Sequence, residues 1–221
     1  NSPFKTQAQF RLGQLSASFQ QFDAALIAYD AVLASGDEPD LIDYARYGKA
    51  WVLIQKEQFN PAIDLVIDVA RTTSDPVLRL EASLASAVCL RELGKPQEAV
   101  RVLETIKKDS SAAHASRELN AKLLLESGVS YGQAGMMEKA SNALTKLARE
   151  YTDFPEVDTA LYEHAWNLKR NGRDDLATAT FQELANRFPK SPLAAEAYYH
   201  VGQESYDKQE FDSAARAYTI A

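Results

Sequence analysis

Cysteine is almost missing from this chain: Cys89 stands alone among 221 residues. An internal disulfide is therefore excluded, and the chain neither requires nor rules out an oxidising compartment. Cys89 lies mid-helix beside Ala87, Val88 and Leu90, so it reads as a small buried hydrophobe rather than a nucleophile. Glycine and proline are sparse, at 9 and 8 residues, which argues against disorder or a long flexible linker. No apolar run reaches transmembrane length, so direct membrane insertion is not expected. Basic residues are outnumbered 24 to 31, and the net charge of −7 removes the attraction that a nucleic acid or an anionic membrane surface would need. The densest basic spots, Lys107-Lys108 and Lys169-Arg170 with Arg173, are flanked by acids and read as solvated helix ends.

The signatures of catalysis are also absent. The glycines are scattered singly, so no phosphate-cradling loop is present. His114, His164 and His200 are far apart, with no cysteine or second histidine at ligand spacing. His200 and Glu196 are four apart and share a helix face, but two ligands read more simply as a surface pair than as a metal site. No strand-to-helix turn offers a strained nucleophile. The chain is expected to be no enzyme, with no catalytic, metal or cofactor-binding residue.

What the chain does have is a period. Ala25, Ala62, Ala99, Ala140, Ala177 and Ala214 mark one point in six copies of a helical hairpin, at intervals of 37, 37, 41, 37 and 37 residues. Four and seven residues after the marker come apolar pairs, among them Tyr29/Val32, Val66/Val69 and Leu144/Leu147. Twelve residues before it sits Gly13, Ala50, Ala87, Gly128, Ala165 or Gly202, small enough to let two helix backbones approach closely. One hairpin cannot bury both of its apolar stripes, so neighbours must stack. The expected fold is all-α, a right-handed superhelical solenoid of about six tandem antiparallel helix hairpins in a single array. Its units span about 3–39, 40–76, 77–117, 118–154, 155–191 and 192–221, the last incomplete. In the first unit, helix A should cover residues 3–19 and helix B residues 23–34. Asp75-Pro76 and Ser191-Pro192 read as an N-cap followed by proline at the first helical position. An apolar residue three before the marker (Phe22, Phe59, Met137, Phe211) is placed to pin the turn, whereas Asp174 leaves the fifth turn least anchored. The 41-residue interval places a candidate hinge at 109–117, as one more helical turn or a longer loop. The chain starts at Asn1 and stops inside an expected helix, so it reads as a fragment of a longer protein.

The small residue, turn aromatic, marker alanine, following aromatic and closing proline together resemble the tetratricopeptide repeat. Gly202…Phe211…Ala214…Tyr218 and Ala165…Ala177…Phe181…Pro189 carry the resemblance best. The 37-residue spacing departs from the usual period of about 34. The large aromatic common four places before the small residue is present as Tyr198, but Gln9, Arg46 and Ser83 stand in other copies. The longer period, with Arg187-Phe188-Pro189-Lys190-Ser191-Pro192-Leu193-Ala194, is similar to repeats of bacterial cell-envelope proteins. Those include the Tol–Pal-associated periplasmic proteins and the outer-membrane assembly lipoprotein of the Bam complex, so a periplasmic or envelope location is favoured over a cytoplasmic one.

The resemblance implies a non-enzymatic scaffold that holds a protein or peptide in a concave groove lined by helix A. Phe10, Tyr47, Trp51, Tyr162, Trp166 and Tyr199 lie three before or one after the small residue, and Tyr44 and Tyr206 lie one turn away. Tyr47/Trp51 and Tyr162/Trp166 are four apart and share a face. These rings either pack against the next helix A or form an aromatic groove, with Gln14, Glu163, Lys169 and Gln203 as polar partners. The peptide-binding set is therefore Tyr47, Trp51, Tyr162, Trp166, Lys169, Tyr199 and Gln203. A carboxylate clamp is not expected, because the groove-facing positions hold Tyr47, Trp51, Leu84, Val88, Leu125 and Val129 instead of Lys, Asn and Arg. Two alternatives stay open: self-association into a homo-oligomer, or service to a catalytic domain elsewhere in a longer chain.

Overall fold

The computed structural model describes residues 4–36, 38–109 and 115–221, and every regular element among them is an α-helix. They form two compact units, residues 1–116 and 117–221. The first holds α1 (Lys5–Ser18), α2 (Phe22–Ser35), α3 (Pro39–Gln55), α4 (Phe59–Thr72), α5 (Pro76–Glu92) and α6 (Pro96–Lys108). The second holds α7 (Arg117–Gln133), α8 (Met137–Glu150), α9 (Val157–Arg170), α10 (Asp174–Arg187), α11 (Leu193–Asp207) and α12 (Phe211–Ile220). Each unit is three hairpins in tandem, which is the expected all-α helical-repeat class. The candidate hinge falls largely on residues 110–114, outside the described residues. The helices beside it, α6 and α7, have 13 and 17 residues against 14 and 17 in α4 and α5, so the inserted residues do not lengthen either helix.

Every hairpin turns in the same way. Gln20, Glu57, Gly94, Gly135, Gly172 and Gln209 stand five residues before the six marker alanines, and all have φ between 57° and 78°. The N–H of the following residue donates to the carbonyl five residues back: Gln21 to Ser16, Gln58 to Leu53, Lys95 to Leu90, Met136 to Tyr131, Arg173 to Leu168 and Glu210 to Ser205, at 2.8–3.0 Å. This is the Schellman closure, which satisfies carbonyls left open at a helix C-terminus. The fifth turn, expected to be least anchored, makes the same bond as the others. Three turns hold a side-chain-bearing residue where a Cβ is unfavourable. At the starts of the A helices, Asp75 caps α5 by accepting from the N–H groups of Val77 (2.8 Å) and Leu78 (3.3 Å), ahead of Pro76. The Ser191 hydroxyl instead accepts from the Leu193 N–H at 3.1 Å, and α11 begins one residue later than the Ser-Pro pair implies.

The marker alanines are all buried, 2% exposed or less, so they do belong to the hairpin cores. The small residue of helix A has a different task from the one expected of it. A Cβ built on Gly13 would lie 2.7 Å from the Tyr29 ring, and one on Gly202 would lie 2.7 Å from the Tyr218 ring. On Gly128 it would fall inside the Leu144 side chain. What the small residue admits is therefore a side chain of helix B, four residues after the marker, and not a second backbone. Ala50 with Val66, and Ala165 with Phe181, share core clusters at the same register. Tyr29 is held from two sides, since a Cβ on Gly48 of α3 would come within 2.5 Å of its ring.

Two predictions follow from these geometries. Gln20→Gly, Glu57→Gly and Gln209→Gly should each stabilise the protein by about 0.5–1 kcal/mol, and Gly172→Ala should destabilise it by a similar amount, read by denaturant unfolding. A loss of stability in the three glycine variants would refute the turn assignment. Gly128→Ala should cost about 1–3 kcal/mol by overpacking against Leu144. Combining it with Leu144→Ala should cost less than the sum of the two single changes, because the second removes the colliding group.

Candidate peptide-binding groove

Within the first unit, α1 touches α3 and α3 touches α5, while α2, α4 and α6 make no such contacts with one another among the described residues. The second unit repeats this, with α7 against α9 and α9 against α11. Helices A are thus the closely spaced layer and helices B the wide one, so each stack curves with its A helices on the inner side. The side chains that helix A turns away from helix B face this inner side.

In the first unit this inner surface holds an open hollow of about 490 Å³. From α1 come Phe10, Gln14, Ala17 and Ser18, and from α3 come Tyr44, Tyr47, Gly48 and Trp51. Leu78 and Glu81 of α5 close the far wall, and Tyr29 of α2 is the floor, reached between Gly13 and Gly48. Trp51 is 40% exposed and Tyr44 41% exposed, so neither is consumed by the core. The Trp51 indole rests edge-on against Phe22, with centroids 6.5 Å apart. Tyr44 donates to Asp75 at 2.5 Å; the bond raises the tyrosine pKa and lowers that of the carboxyl. Burial, with Glu81 nearby, pushes the Tyr47 hydroxyl well above its usual range, so it stays neutral. Phe10 is different: it is buried against Tyr29, a core residue whose edge reaches the hollow.

The second unit uses the same register and fills it. Trp166 meets Tyr162, Phe181 and His200 edge-on, at centroid distances of 6.2, 5.9 and 4.8 Å. His200 stacks on Phe181 at 4.9 Å and touches Tyr199 at 5.6 Å. Burial and the Lys169 charge push the His200 pKa down, against the pull of Glu196, and favour its neutral form. The polar candidates are engaged within the cluster. Tyr162 donates to Glu196 at 2.7 Å, Lys169 lies over the Trp166 ring at 5.8 Å, and Gln203 accepts from Tyr218 at 3.3 Å. Tyr199 alone of these rings is half exposed, at 50%.

The seven candidates thus fall into two groups. Tyr47 and Trp51 line the hollow of the first unit. Tyr162, Trp166, Lys169, Tyr199 and Gln203 form one aromatic cluster in the second. Three contributors escaped sequence reasoning: Tyr29 as a floor, Glu81 as a wall, and His200 as a wedge. Gly48 was the available signal for the first, a second glycine turned toward a large ring. A further hollow in the second unit, between Arg117 and Phe154, holds the ion pairs Arg117–Asp153 (3.0 Å) and Lys122–Glu118 (2.6 Å). Among the described residues no group of three or more His, Cys, Asp or Glu could hold a metal ion, and no helix is long and apolar enough to cross a membrane.

The tetratricopeptide repeat family matches residues 81–111 and 159–191, helices A and B of two hairpins. Two of the six hairpins thus match the tetratricopeptide repeat. No curated protein sequence matches it. Among solved structures, PilW, a widely conserved type IV pilus biogenesis factor, aligns with a TM-score of 0.77 at 14% identity, over 96% of this chain and 90% of its own. The apo form of RapI aligns with a TM-score of 0.74 at 12% identity, over 97% of this chain and 95% of its own. YrrB, described as a TPR protein with an unusual peptide-binding site, gives 0.60 at 18% identity, over 86% and 89%. At such identities these likenesses establish the fold. The tetratricopeptide match supports a protein-interaction scaffold, and the inner surfaces carry the exposed rings of Tyr44, Trp51 and Tyr199.

The two tryptophans should separate on truncation. Trp166→Ala removes the hub of a ring cluster and should cost roughly 3 kcal/mol in unfolding free energy. Trp51→Ala, at a largely open site, should cost roughly 1 kcal/mol or less. Equal losses in the two variants would mean that Trp51 is core as well.

Proposed function

We propose that the chain is a non-enzymatic scaffold whose helix-A surface holds an extended protein segment, in a bacterial cell envelope. The observation that carries this reading is the open hollow of the first unit, where Tyr44, Tyr47 and Trp51 surround space that the core leaves unfilled. Partly exposed Tyr and Trp bury large area at small conformational cost, which is the character of binding hot spots. The exposed Tyr199 of the second unit offers a secondary contact. Envelope placement draws on the long repeat period and on the fold shared with PilW, a pilus biogenesis factor.

The experiment is affinity capture from a bacterial envelope extract with the wild-type chain and a Trp51→Ala, Tyr44→Ala double variant side by side. Trp166 is left intact, because its loss would confound binding with stability. A partner kept by the wild type and lost by the double variant, at unchanged melting temperature, is the expected result. A partner held equally by both would place recognition away from this hollow.

A further inference from the structure

The two units set a tyrosine and a tryptophan at one register and surround them differently. Tyr47/Trp51 and Tyr162/Trp166 stand at equal distances from their marker alanines, Ala62 and Ala177. In the second unit the helix-B residue four after the marker is Phe181, and the residue fourteen before the next marker is His200. His200 lies along Phe181 at 4.9 Å, with ring planes 27° apart, and meets Trp166 edge-on at 4.8 Å. Its side chain is left only 14% exposed. In the first unit those two positions hold Val66 and Ala85, so both rings are missing. Val66 and Ala85 share a cluster with Tyr47 and Leu78. Tyr47 and Leu78 also line the hollow, so the place of the missing rings adjoins it.

We infer that this hollow is a subsite for an aromatic side chain of the bound segment, which brings to the first unit the ring that His200 brings to the second. The inference rests on the peptide-binding reading above and gives it a chemical preference. Phe10, Tyr29, Tyr44, Tyr47 and Trp51 are all rings, and Phe10 and Tyr29 incline at 59° to each other. An incoming ring can therefore meet one wall by its face and another by its edge, the arrangements that ring quadrupoles favour. His200 does both at once in the second unit. A leucine would bury area here without those pairings. A carboxylate would lose hydration against ring faces that offer it nothing in return. A ring also has few torsions to freeze, so its ordering costs little.

The test is selection of a random short-peptide library on the full chain. Counter-selection uses a Val66→Phe, Ala85→His double variant, which copies the filling of the second unit into the first. Peptides kept by the wild type and lost by the filled variant should carry phenylalanine, tyrosine or tryptophan at one fixed position. Replacing that ring by leucine should weaken binding about fivefold. The filled variant should melt no lower than the wild type. Should it melt lower, Trp51→Leu replaces it in the counter-selection, and ring and leucine peptides should then bind that variant within about twofold of each other. Enriched peptides without a ring, or a ring preference that Trp51→Leu leaves undiminished, would overturn the subsite while leaving peptide binding intact. A library whose peptides are weakened by neither variant would overturn both.

Discussion

The structure depends on one steric fit: a residue without a bulky side chain on helix A receives a large side chain from helix B. Gly13 takes Tyr29, Gly128 takes Leu144 and Gly202 takes Tyr218, while Ala50 and Ala165 pack in the clusters of Val66 and Phe181. The fit fixes how the two helices of a hairpin lie against each other. It also spends one face of helix A on the hairpin itself. The remaining aspect of helix A is what neighbouring hairpins and any partner must share. That division explains how a repeat can keep its core constant while its inner surface varies.

The turn is the second constant, and it shows how a backbone requirement can be met without its usual residue. Six closures with the same hydrogen bond need six left-handed residues, and three of them are Gln20, Glu57 and Gln209. Each stands in solvent, where a side chain can leave the surface without collision, so the strain is confined to its own φ. The bonds that close the turn are made by backbone groups, which any residue supplies. The conformation is therefore imposed by helix packing on both sides, and glycine only lowers its cost.

This explains how much could be read beforehand. The six alanines were visible because every hairpin must bury the same position, and burial leaves little choice of side chain. Glycine marks the turn at Gly94, Gly135 and Gly172, but glutamine or glutamate in the same conformation has no distinctive letter. The small residue is legible from its spacing but its task is not, because spacing does not say whether a gap admits a backbone or a ring. At the candidate site the aromatic register was legible, and the division of its members between open and filled surface was not. That division depends on residues in other helices, such as Tyr29, Glu81 and His200, whose approach only the folded chain reveals.

The contrast between Trp51 and Trp166 makes the last point concrete. Both stand one residue after a small residue, with a tyrosine one turn before. Behind Trp166, helix B contributes Phe181 and the next helix A contributes His200, and the two rings close around the indole. In the corresponding places around Trp51 the chain has Val66 and Ala85, which belong to a small-residue cluster that Tyr47 also packs against. The indole is left 40% exposed as a result. The hollow is thus made less by the aromatics that line it than by two smaller side chains, Val66 on the same hairpin and Ala85 on the next, which leave it unfilled. A repeat can open such a hollow by shortening the side chain that helix B presents and the one that the following helix A presents, with the turn unaltered.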